Sequence, residues 1–128
     1  MRLRWTPDSS LELAGNRVEL RELHEVVLAT AAGPASEARV PAQTDGDPTP
    51  YASFLSTLEV RRGPLLIRVT EGSELEVTGS AEALRGFVSF LEFGDDESNG
   101  AHSHVEPYDG HPFISPVSEP LLVSLDLP

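Results

Sequence analysis

LELAGNRVELRELHEVVL, residues 11–28, and LEVTGSAEALRGFVSFL, residues 75–91, are the two stretches whose reading decides the fold. Laid on each other without a gap, they pair Leu11 with Leu75, Glu12 with Glu76, Gly15 with Gly79, Leu20 with Leu84 and Arg21 with Arg85, at an offset of 64 residues in a chain of 128. In each, apolar and polar residues first alternate, as on a half-buried strand; a glycine then breaks the run and apolar residues recur at helical spacing. Asn16 and Ser80 stand where an N-cap is needed, because their side-chain oxygens can accept from a free N–H of the first turn. Glu19, three residues after Asn16, makes the first of them a capping box. The first helix carries Leu20, Leu23, His24, Val27 and Ala31 on one stripe, and the second carries Leu84, Phe87, Val88 and Leu91. Gly33 and Pro34 end the first helix and Gly94 the second.

Two strand candidates follow each helix. In the first half they are residues 53–60 and 65–70, joined by a tight turn around Gly63 and Pro64. In the second they are residues 101–106 and 120–127, joined by a proline-rich connection. With a further strand at Arg2 to Trp5, the chain reads as a single domain, 1–128, with pseudo-repeat halves of about 11–70 and 75–127, each a β-α-β-β unit. The fold class expected is α+β: two layers, a mostly antiparallel sheet with two helices on one face. The other sheet face, with Glu12, Glu59, Glu76 and Asp126 as candidates, is expected to be exposed and acidic. Trp5 and Phe87 are core candidates, and His24 reads as a histidine packed at the edge of the core. Residues 32–52 form a loop longer than compact domains usually carry, which reads as mobile or functional. GDDESNG, 94–100, reads as a solvated turn, since it lacks the alternating oxygen ligands of a calcium loop.

Acidic residues outnumber basic ones 21 to 9, for a formal charge of −12, and every basic residue is arginine. Such a surface repels phosphate backbones and anionic lipid, so neither nucleic acid nor membrane is an expected partner. The absence of cysteine excludes disulfides, thiolate metal sites and a cysteine nucleophile. No run resembles a signal peptide or a membrane span, and the expected location is cytoplasmic.

The chemistry-bearing stretch is HSHVEPYDGHPF, 102–113, which holds three of the four histidines. If its start is extended, His102, His104 and Glu106 share one strand face, a set compatible with zinc or non-haem iron, and His111 could complete the shell. H-x-H also recurs on strand faces as an exposed or hydrogen-bonded pair, and here prolines and the Asp109-Gly110 turn pair favour a strand exit packed by Tyr108 and Phe113. No nucleophile elbow, P-loop or dinucleotide motif occurs, so the chain is not read as an enzyme and no cofactor is expected.

The run SHVEPYDGHPFISPVSEPLLV, 103–123, resembles the C-terminal signature of immunity proteins from bacterial polymorphic toxin systems. His102, His104 and Tyr108, the step Gly110-His111-Pro112-Phe113, then Ile114-Ser115 and the strand Leu121 to Val123, carry that resemblance. Pro107 departs from it, where a residue able to continue the strand is expected. The resemblance implies a small bacterial protein that occludes a cognate toxin domain, with a basic nuclease cleft as the target that an acidic protein suits. Its expected partner-binding residues are His102, His104, Glu106, Tyr108 and His111, with Asp95, Asp96 and Glu97 supplying the field. The protein is then a monomer or a weak homodimer. Two other readings stand beside it: a small metal-binding enzyme using the His102, His104 and Glu106 face, and a dimeric structural module joined through its open sheet.

Overall fold

Hairpins and helices alternate along the chain. In the computed structural model, β1 (Arg2–Thr6) turns back into β2 (Ser10–Gly15), which leads into α1 (Arg17–Ala32), β3 (Glu37–Pro41), β4 (Ser53–Leu55) and β5 (Thr57–Arg62). Next, β6 (Leu66–Thr70) turns back into β7 (Glu74–Gly79), which leads into α2 (Ala81–Phe87), a 3-10 turn at Val88–Leu91, β8 (His102–Val105) and β9 (Leu121–Leu125). The structure describes residues 1–7, 10–33, 37–62, 66–70, 74–94, 96–105 and 120–126.

The strands form a five-stranded sheet, β4-β1-β2-β9-β8, and a four-stranded sheet, β3-β5-β7-β6. Among the described residues β2–β9 and β5–β7 run parallel and the other pairings are antiparallel. The fold is α+β with two helices. Its strands are divided between two sheets where the sequence suggested one, because each sheet combines the hairpin before one helix with the strand pair after the other. The paths β1-β2-β9-β8 and β6-β7-β5-β3 are the same path, each with its parallel pair at the centre.

Both helix starts follow the capping logic. Asn16 Oδ1 accepts from the Glu19 N–H at 2.8 Å while Glu19 Oε1 accepts from the Asn16 N–H at 3.0 Å, and Ser80 Oγ accepts from the Ala83 N–H at 3.1 Å. Gly15 suits the close approach where β2 meets α1, since a Cβ there would lie 3.3 Å from both Glu19 Cβ and Leu20 Cδ2, a tight contact. The apolar stripes of both helices close on one core with the inner faces of both sheets. Leu3, Leu13, Leu55, Leu58, Val60, Ile67, Leu75, Val77 and Leu84 are fully buried in it. Each such side chain contributes about 1.5–3 kcal/mol by leaving water. Phe87 is in this core; Trp5 packs at its margin, half-buried.

Four expectations are corrected. Residues 32–52 are not a bare loop, for β3 lies within them and pairs with β5 from Glu37↔Arg61 to Pro41↔Thr57. Residues 53–60 are not one strand: the chain leaves one sheet after Leu55 and joins the other at Thr57. β5 and β6 are not neighbours either, because β7 lies between them. Finally, Glu12, Glu59 and Glu76 do not make an exposed acidic face; they are only 6%, 6% and 7% exposed.

The reason is a cross-strand arginine opposite each carboxylate: Arg4↔Glu12, Arg39↔Glu59 and Arg68↔Glu76. Arg4 Nε donates to Glu12 Oε1 at 2.8 Å, Arg39 Nη1 to Glu59 Oε2 at 2.8 Å and Arg68 Nε to Glu76 Oε1 at 3.0 Å. Arg61 lies between the last two acids, bonded to Glu59 and 3.5 Å from Glu76 Oε2. Paired carboxylates tolerate this burial; unpaired ones would not.

Candidate interaction face

β8 positions the histidines. Among the described residues it pairs with β9 alone, His102↔Ser124 and His104↔Leu122, at the end of the five-stranded sheet. Alternation turns Val105 fully into the core and leaves His102 and His104 exposed on the outer face. Their rings meet edge to face, with centroids 5.0 Å apart. His102 Nδ1 lies 3.1 Å from the Gly100 carbonyl. A carbonyl only accepts, so Nδ1 is the donor in this contact. Beside His102 the outer face forms a hollow of about 490 Å³, lined among others by Arg2, Arg4, Glu12, Asn99 and Ser124. Its charges are mixed, not uniformly acidic. Glu12 is held there by Arg4 and by the Ser124 hydroxyl, which donates to Oε2 at 3.1 Å.

The segment entering β8 is a tied turn. The Glu97 N–H donates to the Gly94 carbonyl at 3.1 Å, and Glu97 Oε2 accepts from the Gly94 N–H at 3.1 Å. Arg17, at the start of α1, donates to the carbonyls of Gly94 at 2.7 Å and Glu97 at 2.6 Å. Gly100, at φ 88, takes a backbone conformation that favours glycine, and its N–H reaches the Leu125 carbonyl at 2.9 Å. Asp96 and Glu97 are exposed on this frame. On the far side of the turn, α1, residues 91–93 and Leu125 line a second, open-sided hollow of about 370 Å³. Its lining is mixed: Leu20, Leu91, Phe93 and Leu125 are apolar, Arg17, Arg21 and Glu25 are charged, and His24 and Glu92 meet across it, Nε2 to Oε1, at 3.0 Å. His24 is half-buried at the core margin, as expected.

The structure thus brings His102, His104, Asp96 and Glu97 onto or beside one strand and its entry turn. Asp95, Glu106, Tyr108 and His111 lie outside the described residues. Among the described residues no three histidines or acids cluster to hold a metal. Sequence reading missed Arg17, which fixes the turn, and Arg4, which neutralises Glu12. Arg4 and Arg68 share the offset of Glu12 and Glu76, so extending the internal alignment upstream would have exposed the pairs.

A family model described as Immunity protein 32 matches residues 74–126, less than half of the chain, from β7 through α2, the turn and β8 to the end of β9. No curated protein and no solved structure matches. No helix among the described residues is long and apolar enough to cross a membrane.

Proposed function

We propose that the chain is an immunity protein that binds a cognate toxin domain inside the producing cell and covers its working surface without chemistry or cofactor. The observation that carries this reading is the family match over residues 74–126, the segment that includes the tied turn and the histidine strand. Physical support comes from the frame of that turn: Arg17 holds its backbone, so Asp96 and Glu97 are presented with little ordering left to lose on binding. His102 and His104 add a flat polar contact beside it. Asp95, Glu106, Tyr108 and His111 join the contact set on the sequence resemblance alone. A net charge of −12 suits a basic target such as a nuclease cleft and makes the encounter fast and salt-sensitive.

The test is co-expression with the toxin domain encoded by a neighbouring reading frame. Survival of cells making both proteins, with a purified complex, is the expected result; death despite a folded protein refutes the reading. Neutralising Asp95, Asp96 and Glu97 together slows association at low salt. An association rate indifferent to salt and to these changes removes charge steering from the account.

A further inference from the structure

The two sheets share a path, so their outer faces can be laid on each other position by position. Glu12 on β2 takes the place of Glu76 on β7, and each has a cross-strand arginine, Arg4 or Arg68, donating to its Oε1. The parallel partners then correspond as well. Ala14↔Ser124 matches Thr78↔Arg61, and one strand further out Ser124↔His102 matches Arg61↔Glu37. Ser124 thus stands where the four-stranded sheet has Arg61. There the Arg61 guanidinium is bonded to Glu59, lies 3.5 Å from Glu76 Oε2 and lies 3.8 Å from Glu37 Oε2. In the five-stranded sheet the matching oxygen, Glu12 Oε2, accepts from the Ser124 hydroxyl at 3.1 Å. A serine side chain is far shorter than an arginine, and at this position Glu12 and Ser124 line the hollow of about 490 Å³.

We infer that this hollow receives an arginine side chain of the partner, whose guanidinium takes against Glu12 and Ser124 the place that Arg61 takes against Glu76; the inference deepens and rests on the immunity reading. The molecule's own second sheet shows the same buried carboxylate with its second arginine beside it. Net charge does not select the occupant, since Glu12 and Asp126 are matched in the lining by Arg2 and Arg4. Geometry does. Arg4 is committed to Glu12 Oε1, and Arg2 also borders an adjoining depression together with Glu19 and Asp126. Glu12 Oε2 has lone-pair capacity for a donor besides the Ser124 hydroxyl, and with the Glu12 side chain only 8% exposed a charged donor reaching it meets little competition from water. A planar guanidinium offers several donors in one fork, which a lysine ammonium cannot present. Where Glu59 flanks Arg61, the half-buried Leu122 flanks the hollow, a surface on which an arginine stem packs.

The experiment uses the full chain and the catalytically inactivated toxin domain from the neighbouring reading frame, with each toxin arginine replaced in turn by alanine. One of these replacements is expected to weaken binding to the wild-type chain about tenfold or more, the usual weight of hydrogen bonds to a charged group. Ser124→Arg supplies the guanidinium from within. It is expected to melt no lower than the parent, because Glu12 gains the neighbour that Glu76 has, and to lose about as much affinity for the toxin as that toxin replacement does. Combining the two changes should then cost little more than either alone. Ser124→Val, a residue suited to a strand, removes the hydroxyl and serves in the same comparison if Ser124→Arg does not fold. Wild-type affinity in a folded Ser124 variant, a toxin with no sensitive arginine, or losses that add in full overturns the arginine site and leaves the immunity reading standing. Failure of the wild-type chain to bind the toxin domain overturns both. A Ser124 change that alters self-association alone assigns the hollow to a second copy of this chain and likewise overturns the inference.

Discussion

Replacing Arg4 by leucine should strand a carboxylate inside the five-stranded sheet. The Glu12 side chain is 8% exposed and that of Arg4 24%, and Arg4 grips Glu12 through both Nε and Nη2. Breaking one side of a fully buried pair costs about 3–5 kcal/mol, and the lower end applies because Arg4 is part-exposed and Ser124 still donates to Glu12. Arg4 also lies 4.7 Å from the Tyr51 ring centroid, a cation–π contact whose loss adds about 0.5–1 kcal/mol, roughly offset by the new apolar contact of leucine. The expected loss is therefore about 3 kcal/mol. In urea, with a slope of about 1–3 kcal/mol/M, the midpoint should fall by roughly 1–3 M at constant slope. Arg4→Leu with Glu12→Leu removes both charges and should recover to within about 1 kcal/mol of the parent. A single variant costing under about 1 kcal/mol, or a double variant no better than the single, would refute the claim that Arg4 is what makes the burial of Glu12 tolerable.

Gly15→Ala should lower stability by about 1–2 kcal/mol, seen as a lower melting temperature, because its methyl meets Glu19 and Leu20 at 3.3 Å. Arg17→Ala should speed amide hydrogen exchange in residues 94–100 while leaving the centre of α1 protected; equal acceleration in both would mean that Arg17 holds the helix and not the turn. The Thr49 hydroxyl and then its N–H hold the Asp47 carboxyl below the usual range, burial acting slightly the other way. The linked stabilisation is present above the unfolded pKa and lost as pH falls through the folded one. Thr49→Val should raise the Asp47 pKa in an NMR titration. We further propose that the chain is one domain of two interdependent halves: cut between residues 62 and 66, neither piece should unfold cooperatively alone, and a piece that does so counts against the single-domain reading.

Local signals in the sequence were sufficient for local structure. The offset between residues 11–28 and 75–91 located β2 with α1 and β7 with α2, because caps, glycines and helical spacing act within a few residues of themselves. Strand pairing was not legible. β2 and β9 join Glu12 to Leu122, and no periodicity carries information across that separation. β3 was hidden in a segment rich in proline and alanine, whose strand character comes from pairing with β5 and not from its own propensity. The acidic face was misread for the same reason: charge counts assign glutamates to water until the arginine on the neighbouring strand is known. At the candidate site, alternation correctly predicted His102 and His104 on one exposed face. The cavity under the turn was invisible because its walls come from α1, the 3-10 turn and β9, which only the fold assembles.

The exchange of strand pairs between the two halves bears on how the protein is made. Neither sheet is complete when the first half leaves the ribosome, since β5 awaits β7 and β2 awaits a partner from near the other end of the chain. Until then the nascent polypeptide offers two open strand edges, each specific for a segment not yet synthesised. Two such polypeptides emerging close together could satisfy those edges with each other, using the very contacts seen within one molecule. Dilution during refolding should therefore favour the single-chain product, and crowding an entangled pair.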